Sequence, residues 1–189
     1  MIEILSIIIA VISLAVSIYT AWQTLLNRGT VVMTQPTIVF FGYDGGDPKI
    51  VIVTIMFSTG QRGHILESMF VKLRRSETTQ TFSRWVYGNS NNARASGLYV
   101  GMEGVTENHH FIIPSDGTQY QFLPGEYEIE VYGSLINRKS SLLLKRMHVS
   151  MNSEEANALN HSEIGVMFNW SPETRKYISE TKKLSAFVR

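Results

Sequence analysis

Cysteine is absent from the 189-residue chain. That excludes disulfides, thiol nucleophiles and cysteine zinc sites together, and it is compatible with either side of a membrane. Lys and Arg are absent before Arg28, and no formal charge lies between Ile4 and Trp22. The signatures of common catalytic frameworks are missing as well: no glycine-rich phosphate loop followed by Lys and Ser or Thr, no Gly-x-Ser-x-Gly turn, no His-Glu-x-x-His. From these absences the expectation is a protein without enzymatic activity or cofactor.

What the first segment has instead is an apolar run with one polar stripe. Glu3, Ser6, Ala10, Ser13, Ser17, Thr20, Thr24 and Asn27 recur at alternating three- and four-residue steps, so a helix places them on one face. Around them lie Ile, Leu and Val. The uncharged stretch from Ile4 to Trp22 spans 19 residues, which at 1.5 Å per residue is about 28 Å, the thickness of a bilayer's hydrocarbon core. Tyr19 and Trp22 fall near its end, where amphipathic rings sit at a membrane interface. A cleaved signal would need a basic start and a small-residue cleavage site; Glu3 stands where Lys or Arg would be, and no clear Ala-x-Ala follows. Residues 1–28 therefore read as a single transmembrane helix. Small and hydroxyl-bearing residues are what membrane helices use to meet, so Ser6, Ala10, Ser13, Ser17, Thr20 and Thr24 are the expected self-association or pore-lining face. Arg28 after the span, with no cation before it, puts the C-terminal domain in the cytoplasm.

Beyond the helix the chain is long enough for one domain, and it reads as short strands. Turn residues separate β-branched and aromatic runs at 30–33, 37–43, 49–58, 65–75, 79–87, 98–102, 109–113, 119–123, 124–133, 142–149 and 164–170, with Pro36 breaking the first pair. Ser153-Glu154-Glu155 opens a short helix with Ser153 as its expected cap. The pattern calls for an antiparallel β-sandwich over 29–170 and a loose polar tail over 171–189.

The strand Pro124 to Gly133 alternates Tyr127, Ile129 and Val131 with Glu126, Glu128 and Glu130. It resembles a strand common near the end of immunoglobulin-like and fibronectin-like domains, in which an early Tyr packs at a corner. The similarity implies an immunoglobulin-like sandwich. The chain as a whole also resembles a set of uncharacterised bacterial single-pass membrane proteins, through Gly29-Thr30-Val31-Val32-Met33-Thr34-Gln35-Pro36-Thr37, Trp85-Val86-Tyr87-Gly88 and Asn108-His109-His110-Phe111. That resemblance implies one helix and one domain and no particular chemistry.

Charge is segregated although the net value is +1. Residues 49–94 hold seven basic groups against two acidic ones, and residues 101–163 hold nine acidic against four basic. If the strands 65–75 and 79–87 pair as a hairpin, Lys72 and Arg74 share a face that Arg84 can join, beside the loop that carries Arg94. Such a strip is an anion-binding candidate, for nucleotides or acidic lipid headgroups. His109 and His110 look metal-like with Glu107, but neighbours on a strand face opposite ways and cannot share an ion. The functional expectation is a homo-oligomeric interaction or ligand-sensing scaffold at the bacterial inner membrane. The alternative is a small channel or membrane-disrupting effector whose helices line a water path and which its soluble domain gates.

Overall fold

A computed structural model describes residues 2–26, 29–87, 97–114, 119–159 and 164–183 of the chain. The apolar run forms α1 (Ile2–Ala21), continued by one π-helical turn, Trp22–Leu26. Together they contain a 23-residue apolar stretch, Ile2–Thr24, long enough and apolar enough to cross a membrane. None of that stretch is buried by the rest of the protein. Its hydroxyls turn back on the helix: Ser6 donates to the Glu3 carbonyl, Ser17 to Ser13, Thr20 to Val16 and Thr24 to Thr20, each at 2.8 Å. Such bonds let Ser and Thr sit in hydrocarbon without an unsatisfied donor.

The remaining elements are twelve strands and one short helix among the described residues: β1 (Val31–Met33), β2 (Ile38–Asp44), β3 (Asp47–Ser58), β4 (His64–Arg75), β5 (Thr78–Phe82), β6 (Arg84–Tyr87), β7 (Leu98–Val100), β8 (Val105–Ile112), β9 (Gly125–Leu135), β10 (Leu142–Met151), α2 (Ser153–Leu159), β11 (Ile164–Ser171) and β12 (Lys176–Lys183). One seven-stranded sheet runs β12-β11-β2-β3-β8-β6, with β1 on the far end of β3. A five-stranded sheet runs β10-β9-β4-β5, with β7 on β4. Every pairing is antiparallel. The expected mainly β fold, an apolar helix followed by a sandwich-like pair of antiparallel sheets, is what the chain adopts.

Alternation writes the core directly. Ile50, Ile52 and Met56 of β3 and Tyr127, Ile129 and Val131 of β9 are all fully buried, and they face one another across the two sheets. At the centre, Phe41 stacks on Phe122 with centroids 4.8 Å apart and meets Tyr127 and Phe168 edge-on at 5.4 and 5.1 Å. Phe40, Val51 and Met167 form a second, smaller apolar cluster on the outer face of the larger sheet. Gly165 makes room for it, since a Cβ there would lie 1.9 Å from the Phe40 ring.

Tyr127 closes the corner before β9. Its hydroxyl accepts the Leu123 N–H at 2.8 Å and donates to the Leu123 carbonyl, the arrangement that the resemblance to immunoglobulin-like strands implied. It also explains why 119–123 is not the strand its composition suggests. The Leu123 backbone spends both polar groups on a side chain, so the segment inserts Tyr120 and Phe122 into the core without joining a ladder.

Three further expectations are corrected. The run 79–87 is two strands, because Phe82 and Trp85 both point into the core. Two residues apart is one face and three apart is not, so the chain breaks at Ser83 and crosses from the smaller sheet to the larger. The polar tail is not loose over its first part: β12 pairs with β11 from Ser171↔Lys176 to Ile164↔Lys183. As an edge strand it can keep polar side chains in water and still complete a ladder. Tyr177 pins it, donating to the Pro36 carbonyl and accepting from Gln35, both at 2.9 Å. Finally, the cap of α2 is Asn152, not Ser153. Asn152 Oδ1 accepts the Glu155 N–H at 2.9 Å while Glu155 reaches back to the Asn152 N–H at 2.8 Å, a reciprocal capping box.

Replacing Tyr127 with Phe keeps the ring and removes the hydroxyl, leaving the N–H and C=O of Leu123 without their partner. Urea denaturation is expected to show a loss of about 1–3 kcal/mol, with no change in far-ultraviolet dichroism of the native state.

Candidate functional site

The stripe residues lie where the periodicity puts them. Ser6, Ala10, Ser13, Ser17 and Thr20 run along α1 and are exposed, and Thr24 sits in the π-helical turn. Ser6, Ser17, Thr20 and Thr24 donate within the helix, and Ser13 Oγ makes no such bond. Among the described stripe residues its hydroxyl is the one left to donate outside its own helix.

The basic strip is divided by the topology. Lys72 and Arg74 do share the outer face of β4, but β4 forms its hairpin with β5, and β6 belongs to the opposite sheet with Arg84 in register with Ile112. Arg94 lies outside the described residues. The neighbours of Lys72 and Arg74 on the other side are the glutamates of β9: the register pairs Lys72 with Glu130 and Arg74 with Glu128. Beyond them β10 adds Arg146 opposite Glu130 and His148 opposite Glu128. The result is a three-strand ladder of alternating sign. Arg74 lies 3.5 Å from Glu128 and His148 3.3 Å from it, while Arg146 Nε donates to Glu130 at 2.9 Å and the Tyr132 hydroxyl to its other oxygen at 2.9 Å. Lys72 Nζ stands 5.2 Å over the Tyr132 ring, which stacks on Phe70 at 5.0 Å. Glu130 is buried beneath these groups, and the Arg146 hydrogen bonds hold its carboxyl below the ordinary carboxylate value. Lys72 and Arg74 thus face carboxylates and an aromatic ring, which leaves this face far less cationic than its β4 residues alone suggest.

The histidines face opposite ways, as strand geometry requires. His110 is half-buried on the outer face of β8, and His109 points into the core with no exposed surface. Trp85 Nε1–H donates to His109 Nδ1 at 3.2 Å, which fixes a neutral ring with its proton on Nε2. That Nε2 has no hydrogen-bond partner. Burial, reinforced by His110, pushes the His109 pKa down to about 4. For His110 burial comes first and the Lys49 charge second, again to about 4. Among the described residues no group of three or more His, Asp or Glu is placed to hold a metal ion.

One feature had no sequence signal because its walls come from distant segments. Between the β10 edge of the smaller sheet and β12 of the larger lies a groove of about 520 Å³, walled by Gln35, Arg146, Trp170, Arg175, Lys176 and Tyr177 among others. Among the described strands β10 pairs only with β9, so within the described residues the groove runs beside a ten-residue strand at the edge of its sheet. No known family model matches the sequence, and no curated protein is similar to it.

Because His109 protonates near 4 in the folded chain and near 6.5 when unfolded, the unfolded state takes up the proton first. Stability is full above about pH 6.5 and falls as pH drops toward 4, by about 3 kcal/mol from this residue if the ring stays neutral throughout. His110 adds a loss of the same sign. Urea midpoints at pH 7 and 4.5 should differ less in His109→Leu than in the parent, although that variant starts lower at pH 7 because the Trp85 N–H loses its acceptor.

Proposed function

We propose that the protein is a single-pass scaffold of the bacterial inner membrane that self-associates through its helix and displays a β-sandwich interaction module in the cytoplasm. The observation that carries this reading is the uncovered apolar span: a 23-residue apolar stretch in which no residue is buried. Exposed in water, such a surface would cost more than a small domain's stability, at about 25 cal/mol per Å² of apolar area. Lipid is the solvent that fits it, and the domain that follows is tethered to that surface.

Association follows from the stripe. Ala10 and the Ser and Thr positions let two backbones approach closely, and an interhelical hydrogen bond from Ser13 adds about 0.6 kcal/mol. The back-bonded hydroxyls of Ser6, Ser17, Thr20 and Thr24 support dry packing over a water-lined path, since their donors are already satisfied without water. The partner surface for a protein segment is the groove beside β10, where a free strand edge and the cations Arg175 and Lys176 are available to an extended acidic chain. The role is non-enzymatic, and nucleotide binding by the β4 strip is disfavoured by the carboxylates that face it.

Ser13→Leu with Ser17→Leu fills the stripe. In detergent, multi-angle light scattering should give the parent as an oligomer and the double variant as a smaller species; equal masses would overturn self-association through this face. Liposomes containing the parent are expected to hold an ion gradient. A conductance that the same double substitution abolishes would assign the helices to a pore instead.

A further inference from the structure

We propose that the end of the sandwich nearest the helix lies on the bilayer surface, with its apolar side chains at headgroup depth and its cations on anionic lipid headgroups. This rests on the reading of α1 as membrane-spanning, and it assigns a face of the folded domain that the helix alone does not specify.

From Gly29 onward the chain is tied to the domain. Gly29, at φ +62°, packs so closely on the β3–β4 turn that a Cβ would lie 2.2 Å from Gly60 N. Thr30 N–H then bonds Thr59 Oγ1, and Thr59 N–H the Thr30 carbonyl, both at 2.9 Å. Leu26 and Gly29 are three residues apart, a separation of at most about 11 Å at 3.8 Å per Cα step. A helix that fills the hydrocarbon core therefore holds this end of the sandwich within or just above the headgroup layer, which is roughly 5–8 Å deep on each side.

The side chains at that end suit the depth. Tyr99 is 61% exposed, Ile136 58%, Met102 57% and Ile65 47%, a concentration of large apolar groups in water that the soluble fold does not need. They come from β7, from the β9–β10 and β7–β8 turns and from the start of β4. Tyr99, Ile65, Ile136 and Arg138 wall a groove of about 350 Å³ that opens beside Gly29 and Thr30. Arg138 lines it, Lys139 follows in the same turn and Arg62 lies in the β3–β4 turn; all three are exposed, and among the described residues none lies within 4 Å of a carboxylate. Glu103 in these turns, with Glu107 at the start of β8, is the opposing charge. The far end of the sandwich leans the other way: Asp44, Asp47, Glu77 and Glu126, with Glu154 and Glu155 of α2, stand there against Lys49, Arg75, Lys182 and Lys183. Apolar groups with Arg62, Arg138 and Lys139 in the neighbouring turns at the tethered end, and an excess of carboxylates at the far end, orient the domain upright on a negatively charged surface.

The absence of cysteine permits single labels on the full chain. Nitroxides at Ile136→Cys, at Glu77→Cys on the far end and at Ile12→Cys in mid-helix are compared in nanodiscs of phosphatidylcholine with or without phosphatidylglycerol, by relaxation with oxygen and with a water-soluble nickel chelate. The expected result is an Ile136 label protected from nickel, more so with phosphatidylglycerol, while the Glu77 label stays open to it. Arg138→Glu with Lys139→Glu should raise nickel access at Ile136 several-fold in the acidic discs and leave the Ile12 label in lipid. An Ile136 label as open as that at Glu77, with Ile12 still in lipid, overturns the surface contact and leaves the anchor standing. Protection that ignores lipid charge and disappears at one chain per disc assigns the face to a second copy and also overturns it. An Ile12 label in water overturns the anchor itself.

Discussion

The constraint on which the molecule turns is that α1 has no apolar partner among the described residues of its own fold. The sandwich closes its core without the helix: Phe41, Phe122, Tyr127 and Phe168 fill the space between the sheets, and the second cluster at Phe40 is filled by Val51 and Met167. No groove along either sheet takes up the Ile, Leu and Val side chains of the span, all of them half or more exposed. Two demands that a globular protein usually meets together, covering the helix and covering the sheets, are here separate. The domain solves the second with its own residues, and lipid is the medium suited to the first.

Electrostatics follow from register more than from composition. Along the chain, basic and acidic residues fall in separate stretches. Folding interleaves them, because β9 lies between β4 and β10 and brings Glu128 and Glu130 between Lys72 and Arg74 on one side and Arg146 and His148 on the other. Cross-strand neighbours of opposite sign stabilise a sheet by a few tenths of a kcal/mol each, and Glu130, sunk beneath Arg146 and Tyr132, contributes through hydrogen bonds as much as through charge. What emerges from the segregated sequence is a neutralised face on the smaller sheet, with cations that have no carboxylate partner among the described residues left at the turns and along the β10–β12 groove.

The same distinction separates what could be read early from what could not. The helix, the alternation of β9, the glycine-rich β2–β3 turn and the mainly β class are properties of a few adjacent residues, and they were legible. The break at Ser83 was not. Thr79 to Tyr87 passes for one strand by composition, and only the requirement that Phe82 and Trp85 both enter the core reveals a crossing. β12 was hidden for the complementary reason, since an edge strand needs no apolar face and its anchor, Tyr177, finds its partners at Gln35 and Pro36 far back in the chain.

Sequence alone determined that the first segment is too apolar for water, that its small and hydroxyl residues share a face, and that the rest must form short paired strands, because each of these depends on periodicity within one element. Tertiary structure decided which charges meet, which His is buried against Trp85, where the groove beside β10 opens, and which end of the sandwich is tied to the helix. Those outcomes depend on strand order and register, and two sheets can stack the same set of strands in many orders while leaving every local pattern unchanged.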